Sequence, residues 1–134
     1  MLLTKKACYG LVAVRYLARH MRKRALSATD LARLYDFPHE MLAKILQRLA
    51  RAGVLLSHHG IRGGYVLARD ARKISVLEVI KASEGSQNSV RKHHDSSDKQ
   101  NAHDNLLRSA NDSIEKVLNR ISVRDIDLRF RNRG

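Results

Sequence analysis

Five side chains between residues 39 and 47 carry the chemistry of this chain. His39, Glu40, Ala43, Lys44 and Gln47 recur at spacings of three to four and so project from one side of a helix. Their types match base edges: lysine pairs with guanine, glutamine with adenine, glutamate with the cytosine amine, and alanine packs on a thymine methyl. An ordinary solvated helix face would look similar, so the flanking segments decide the reading. Leu42, Ile45, Leu46 and Leu49 supply the opposite, apolar face, and Gly53 stops the helix.

The surrounding elements form a frame for that helix. Upstream, Leu3, Ala7, Leu11, Val14 and Leu17 predict a first helix from about Thr4, its N-cap, to Met21. Ser27 with Asp30 predicts a second helix over 28–35, capped by a variant of the capping box. Phe37-Pro38 makes the turn, with Pro38 at the first position of the third helix. Downstream, Val54–Ser57 and Tyr65–Ala68 read as two strands around the tip His58-His59-Gly60-Ile61-Arg62-Gly63-Gly64. The expected fold is therefore mainly α: a winged helix-turn-helix with a small two-stranded wing, shaped to fit a DNA groove.

Charge agrees. The 134 residues hold 26 Lys+Arg and 13 Asp+Glu, a formal net charge of +13. Residues 1–80 carry 15 basic and 5 acidic side chains, so the excess sits on the module. Such a domain attracts polyphosphate. Lys5, Lys6, Arg22, Lys23, Arg48 and Arg51 suit phosphates, with Thr4, Tyr9 and Ser27 beside them as further DNA-contact candidates. At the wing tip, Arg62 and His59 suit a minor groove, with Gly63 allowing close approach.

Ser75 and Glu78 form a capping box opening a short helix to about Ser83. Residues 85–101 read as a polar, flexible loop. A long helix then starts near His103 and spans 102–126. Its Leu107, Ala110, Ile114, Val117 and Ile121 are spaced 3, 4, 3, 4, a seam that calls for a partner helix. A homodimer is expected. The division is 1–84 for the DNA-binding domain, 85–101 for the loop, 102–126 for the dimerisation helix, and 127–134 for a fraying tail.

No apolar run is long enough to span a bilayer and no signal peptide is evident. A single cysteine excludes an intramolecular disulfide framework and suits a reducing cytoplasm. No nucleotide-cradling loop, metalloprotease helix motif or nucleophile elbow is present, so an enzyme is not expected. A winged-helix module that docks on protein is the alternative to a DNA-binding one.

An ordered set of motifs resembles the IscR/NsrR-type winged-helix regulators of bacteria. The pieces are Leu3-Thr4 with Tyr9-Gly10, Leu42-x-x-Ile45 through Leu49-x-x-x-Gly53, Gly60-x-x-Gly63-Gly64-Tyr65, and Val76-x-Glu78-Val79-Ile80. The resemblance implies a homodimeric transcription factor on a roughly palindromic double-stranded DNA operator. Many members sense iron–sulfur status, nitric oxide or redox conditions through an iron–sulfur cluster. Three loop cysteines hold it, with a fourth ligand from helix one. Here Cys8 falls on the helix-one position, but Ser89, Ser96 and Ala102 stand at or near the three loop positions. Clusters require soft thiolates, so no cofactor is expected in this chain as written. Two origins fit: a natural cluster-free member answering another signal, or an engineered variant of a cluster-binding parent. Cys8 also fits a small buried helix residue. His93, His94 and His103 are read by default as solvated, since adjacent loop histidines rarely complete a tetrahedral site.

Overall fold

The computed structural model describes residues 3–20, 25–85 and 98–126. The basic run 22–24, most of the expected loop with Ser89, His93, His94 and Ser96, and the tail from 127 lie outside the described residues.

Helix α1 spans Lys5–Arg19 and is capped by Thr4, whose hydroxyl accepts from the Ala7 N–H at 3.1 Å. It buries Ala7, Gly10, Ala13, Val14 and Leu17. Leu3, expected on this stripe, precedes the cap and is 61% exposed; Leu11 is only half-buried. Gly10 lies on the buried face for a steric reason. A Cβ there would sit 1.8 Å from the Ser83 Oγ, so the residue lets α1 press against the fourth helix.

Helix α2, Ala28–Tyr35, has a complete capping box: Asp30 N–H donates to Ser27 Oγ at 3.1 Å, and Ser27 N–H donates to Asp30 Oδ2 at 3.2 Å. It ends on Asp36, left-handed at φ 55°. Helix α3, His39–Arg51, buries Leu42, Ile45, Leu46 and Leu49 as expected. Pro38 stands at the N-cap position, just outside the helix, rather than at its first helical position. Gly53, at φ 79°, provides the stop.

The wing pairs β1 (Leu55–His58) with β2 (Gly64–Leu67), antiparallel, with Leu55 opposite Leu67 and His58 opposite Gly64. Both strands are displaced by one residue from expectation. Val54 N–H closes the end of α3 on the Leu49 carbonyl, while its carbonyl still accepts from Ala68 N–H at 3.0 Å, so Val54 and Ala68 share one bond just beyond the regular ladder. Leu26 adds a third short rung, exchanging both backbone bonds with Tyr65 at 3.2 and 2.8 Å. Gly64 permits this approach: a Cβ there would lie 2.4 Å from the Leu26 carbonyl carbon.

Ser75 and Glu78 close the capping box of helix α4, Val76–Ser83. Helix α5 spans Asp98–Arg120, so residues 98–101, expected as loop, are helical. It also ends earlier than expected. Ser122 bridges Ser75, and Val123 N–H donates to the Ile74 carbonyl at 2.9 Å. A new helical turn then begins at Val123, with Ser122 and Asp125 forming a reciprocal cap.

One apolar core joins α1, α2, α3, the wing and Val123. A smaller cluster of Ala7, Val76 and Ile80 is covered by Leu118 and Ile121 of the C-terminal segment, and by Ile126. Ile121 was expected in the partner seam; the break after Arg120 turns it onto the protomer's own core. The Lys81–Glu115 ion pair at 3.3 Å adds a second tie between α4 and α5.

Candidate nucleic-acid interface

On α3 the expected row is on the surface: His39, Glu40, Lys44 and Gln47 are exposed and Ala43 is half-buried beside them. Their exposure follows from the four buried residues opposite, which fix the helix rotation. His39 Nε2 lies 3.0 Å from the Thr29 hydroxyl, so its ring is held against α2. Glu40 stands in the first turn, where a carboxylate complements the helix dipole.

The start of α3 is the unusual part. No side chain caps it. It shares an open groove of about 540 Å³ with the start of α1, lined by Thr4, Lys5, Lys6, Tyr9, Pro38, Met41 and Glu84. Two helix N-termini thus meet at one depression. Lys5 and Lys6 open α1 with no acidic residue in its first turn. Cations at that end oppose the helix dipole by about 0.3–1 kcal/mol each at exposed positions. Lys5 and Lys6 therefore do not serve the stability of α1; in the groove they stand alongside the Glu84 carboxylate.

Aromatic side chains, not anticipated as a group, lock this region. Tyr9 packs on Phe37 at 4.4 Å between centroids, Phe37 stacks on Tyr35 at 5.3 Å, and Tyr35 meets Tyr16 edge-on at 5.8 Å. The ladder fastens α1 to the turn between α2 and α3. Burial pushes the Tyr35 phenol above its ordinary range, with Tyr16 adding to the shift. The seven-residue spacing Tyr9–Tyr16 and the local pair Tyr35–Phe37 carry no distinctive signal, since the contacts joining them, Tyr9–Phe37 and Tyr16–Tyr35, are between residues distant in sequence.

At the wing tip His59, Ile61 and Arg62 are exposed. Gly63 is required there, because a Cβ would meet the His58 carbonyl oxygen at 2.6 Å. Ser27 is half-buried and occupied in its capping box. Arg51 is exposed, whereas Arg48 turns inward and donates from Nη1 to the Ser83 carbonyl at 3.2 Å. Thr4, besides capping α1, donates to Glu84 Oε1 at 3.0 Å. Glu84 is thus a groove residue that sequence patterning does not mark.

Of the expected cluster-ligand positions, Cys8 and Ala102 fall within the described residues. Cys8, the chain's single cysteine, is exposed on α1 rather than buried. Ala102 and His103 are exposed on α5, and alanine offers no donor. Among the described residues no group of three or more His, Cys, Asp or Glu is placed to hold a metal ion. One cysteine and two serines do not fit an iron–sulfur cluster held by loop cysteines. Among the described residues, too, no helix is long and apolar enough to cross a membrane.

A three-helix head and a short wing define a winged-helix protein, with an exposed polar row on its third helix. Residues 3–127 match the model of the Rrf2 family, described as iron-dependent transcriptional regulators, and the chain belongs to that family. It is 33% identical over 91 residues to the HTH-type transcriptional regulator IscR of Xenorhabdus nematophila, covering 68% of this chain and 56% of that protein. The fold superposes on IscR of T. potens with a TM-score of 0.72 at 27% identity, covering 94% of this chain and 85% of the other. It superposes equally on CymR of B. subtilis, the global cysteine regulator (TM-score 0.73, 24% identity, 95% and 96% covered), a likeness of fold. The chain spans about half the length of the curated relatives it matches. Members of this family are regulators of transcription, not enzymes.

Proposed function

We propose that the chain acts as a homodimer that recognises a roughly palindromic duplex operator. The observation that carries this is the shared groove at the starts of α1 and α3, next to the exposed row on α3. A phosphate of one strand in that groove would meet Lys5, Lys6 and the uncapped α3 terminus. With the backbone held there, the first two turns of α3 enter the major groove. Lys44 and Gln47 then read base edges, with His39, Glu40 and Ala43 beside them. Arg62 and His59 of the wing reach toward the adjacent minor groove.

The partner seam is supported by α5, where Leu106, Leu107, Ile114 and Val117 are large apolar side chains left exposed in the protomer. An isologous pair of such helices places two reading heads in twofold relation, and the operator symmetry follows. The cytoplasm is the setting this role requires. The regulatory signal is not one taken up by a loop-cysteine cluster, for want of thiolates.

Selection from a randomised duplex pool tests the reading. Enrichment of an inverted repeat is expected. Failure to retain any duplex at low salt, from a folded protein, would contradict it.

A further inference from the structure

The corner Ser83–Gly85, where the chain leaves α4, joins the two helices that line the groove. Ser83 is buried under Gly10 of α1, and its hydroxyl is used on the Val79 carbonyl at 2.6 Å. Its carbonyl, one of the last of α4, accepts from Arg48 of α3. Such terminal carbonyls lack helical partners, and a cation at the negative end of the helix is favourable there. Glu84 accepts from Thr4 at the start of α1. Gly85, at φ 72°, leaves room for the guanidinium: a Cβ would lie 2.8 Å from Arg48 Cζ and 3.0 Å from Nε.

We infer that Arg48 is a positioning residue for DNA reading, seated on the Ser83–Gly85 corner to set the rotation and tilt of α3 relative to α1, and not a phosphate anchor. The inference rests on the DNA-reading role proposed above. Arg48 adjoins Gln47 and follows Lys44 by one turn, so its tether acts on the part of α3 that carries the reading row. Through the same corner, Thr4 and Glu84 fix the end of α1 that bears Lys5 and Lys6. Reading helix and anchoring helix therefore share one fixed point. Loss of the tether leaves the charges of the groove in place but lets the row on α3 drift from the bases.

Two variants separate the roles. Arg48→Ala removes charge and tether together. Gly85→Ala keeps the charge but displaces the guanidinium from its seat. Each is titrated against a duplex enriched by the wild-type chain and against an unrelated duplex, over a salt series, with thermal unfolding recorded alongside. Both variants are expected to lose about tenfold in affinity for the enriched duplex, the scale of one lost charge-assisted hydrogen bond. Affinity for the unrelated duplex should stay within about twofold and the salt slope should not change, because no phosphate contact is removed. A slope reduced by about 0.9 per protomer in Arg48→Ala, with both duplexes weakened alike, would make Arg48 a phosphate anchor and overturn the inference. A lower unfolding temperature with an unchanged ratio between the duplexes would make its role merely structural, and equally overturn it. If the wild-type chain retains no duplex, the DNA-reading role itself fails, and that result is distinct from either of the others.

Discussion

Raising the salt from about 50 to about 200 mM should weaken operator binding roughly a thousandfold, as expected for about six neutralised phosphates. The count comes from Lys5, Lys6 and Arg62 in each protomer: two at the groove and one at the wing tip, all at the surface or close to it. Each released counterion contributes about 0.9 to the slope of log affinity against log salt, giving about −5 for a dimer. The formal charge of +13 by itself would not predict this number, since much of it lies away from the proposed contacts. Lys5→Ala and Lys6→Ala should each flatten the slope and weaken all duplexes alike. A slope near zero would mean that the groove holds no phosphate.

Ile114→Asp should convert the dimer to monomer at micromolar concentration and abolish cooperative operator binding. In the protomer Ile114 is 40% exposed and belongs to neither apolar cluster, so the head should fold normally. In an isologous seam the substitution occurs twice and sets two carboxylates in an apolar contact. Burying each ion costs several kcal/mol, comparable to what the exposed apolar residues of one α5 contribute to the seam. Leu118, by contrast, packs within the protomer, and truncating it should lower stability before it affects association. Sedimentation at several concentrations distinguishes these outcomes. A variant that remains dimeric would place the interface elsewhere than on α5. The monomer should also show about half the salt slope of the dimer.

What was legible in the sequence was mostly local. The Ser27–Asp30 and Ser75–Glu78 boxes and the stop at Gly53 are short-range bonds and backbone angles, and each lies where its residues imply. The α3 row was legible because four buried residues define the opposite face. Spacing failed where it could not name the partner. Ile121 continues the heptad pattern of α5 but packs on Ala7, Val76 and Ile80, because the helix breaks before Ser122. The Ser122-x-x-Asp125 pair is the same local signal as Ser27-x-x-Asp30 and marks that break. Arg48 shows the other limit. Its type and position on a basic helix suit a phosphate, while its seat depends on residues 35 positions away. At Val54, likewise, the N–H bonds the end of α3 while the carbonyl bonds Ala68, a division that spacing along the chain does not reveal.

In the proposed complex the exposed row on α3 reads base sequence. That role is tested most directly by ranking wild-type, Lys44→Ala and Gln47→Ala against every single-base variant of the selected operator. Each substitution should erase about 1–3 kcal/mol of preference at one position per half-site, leaving the other positions in order. Truncation that weakened every variant equally, with the ranking unchanged, would contradict the account and make α3 an anchor rather than a reader.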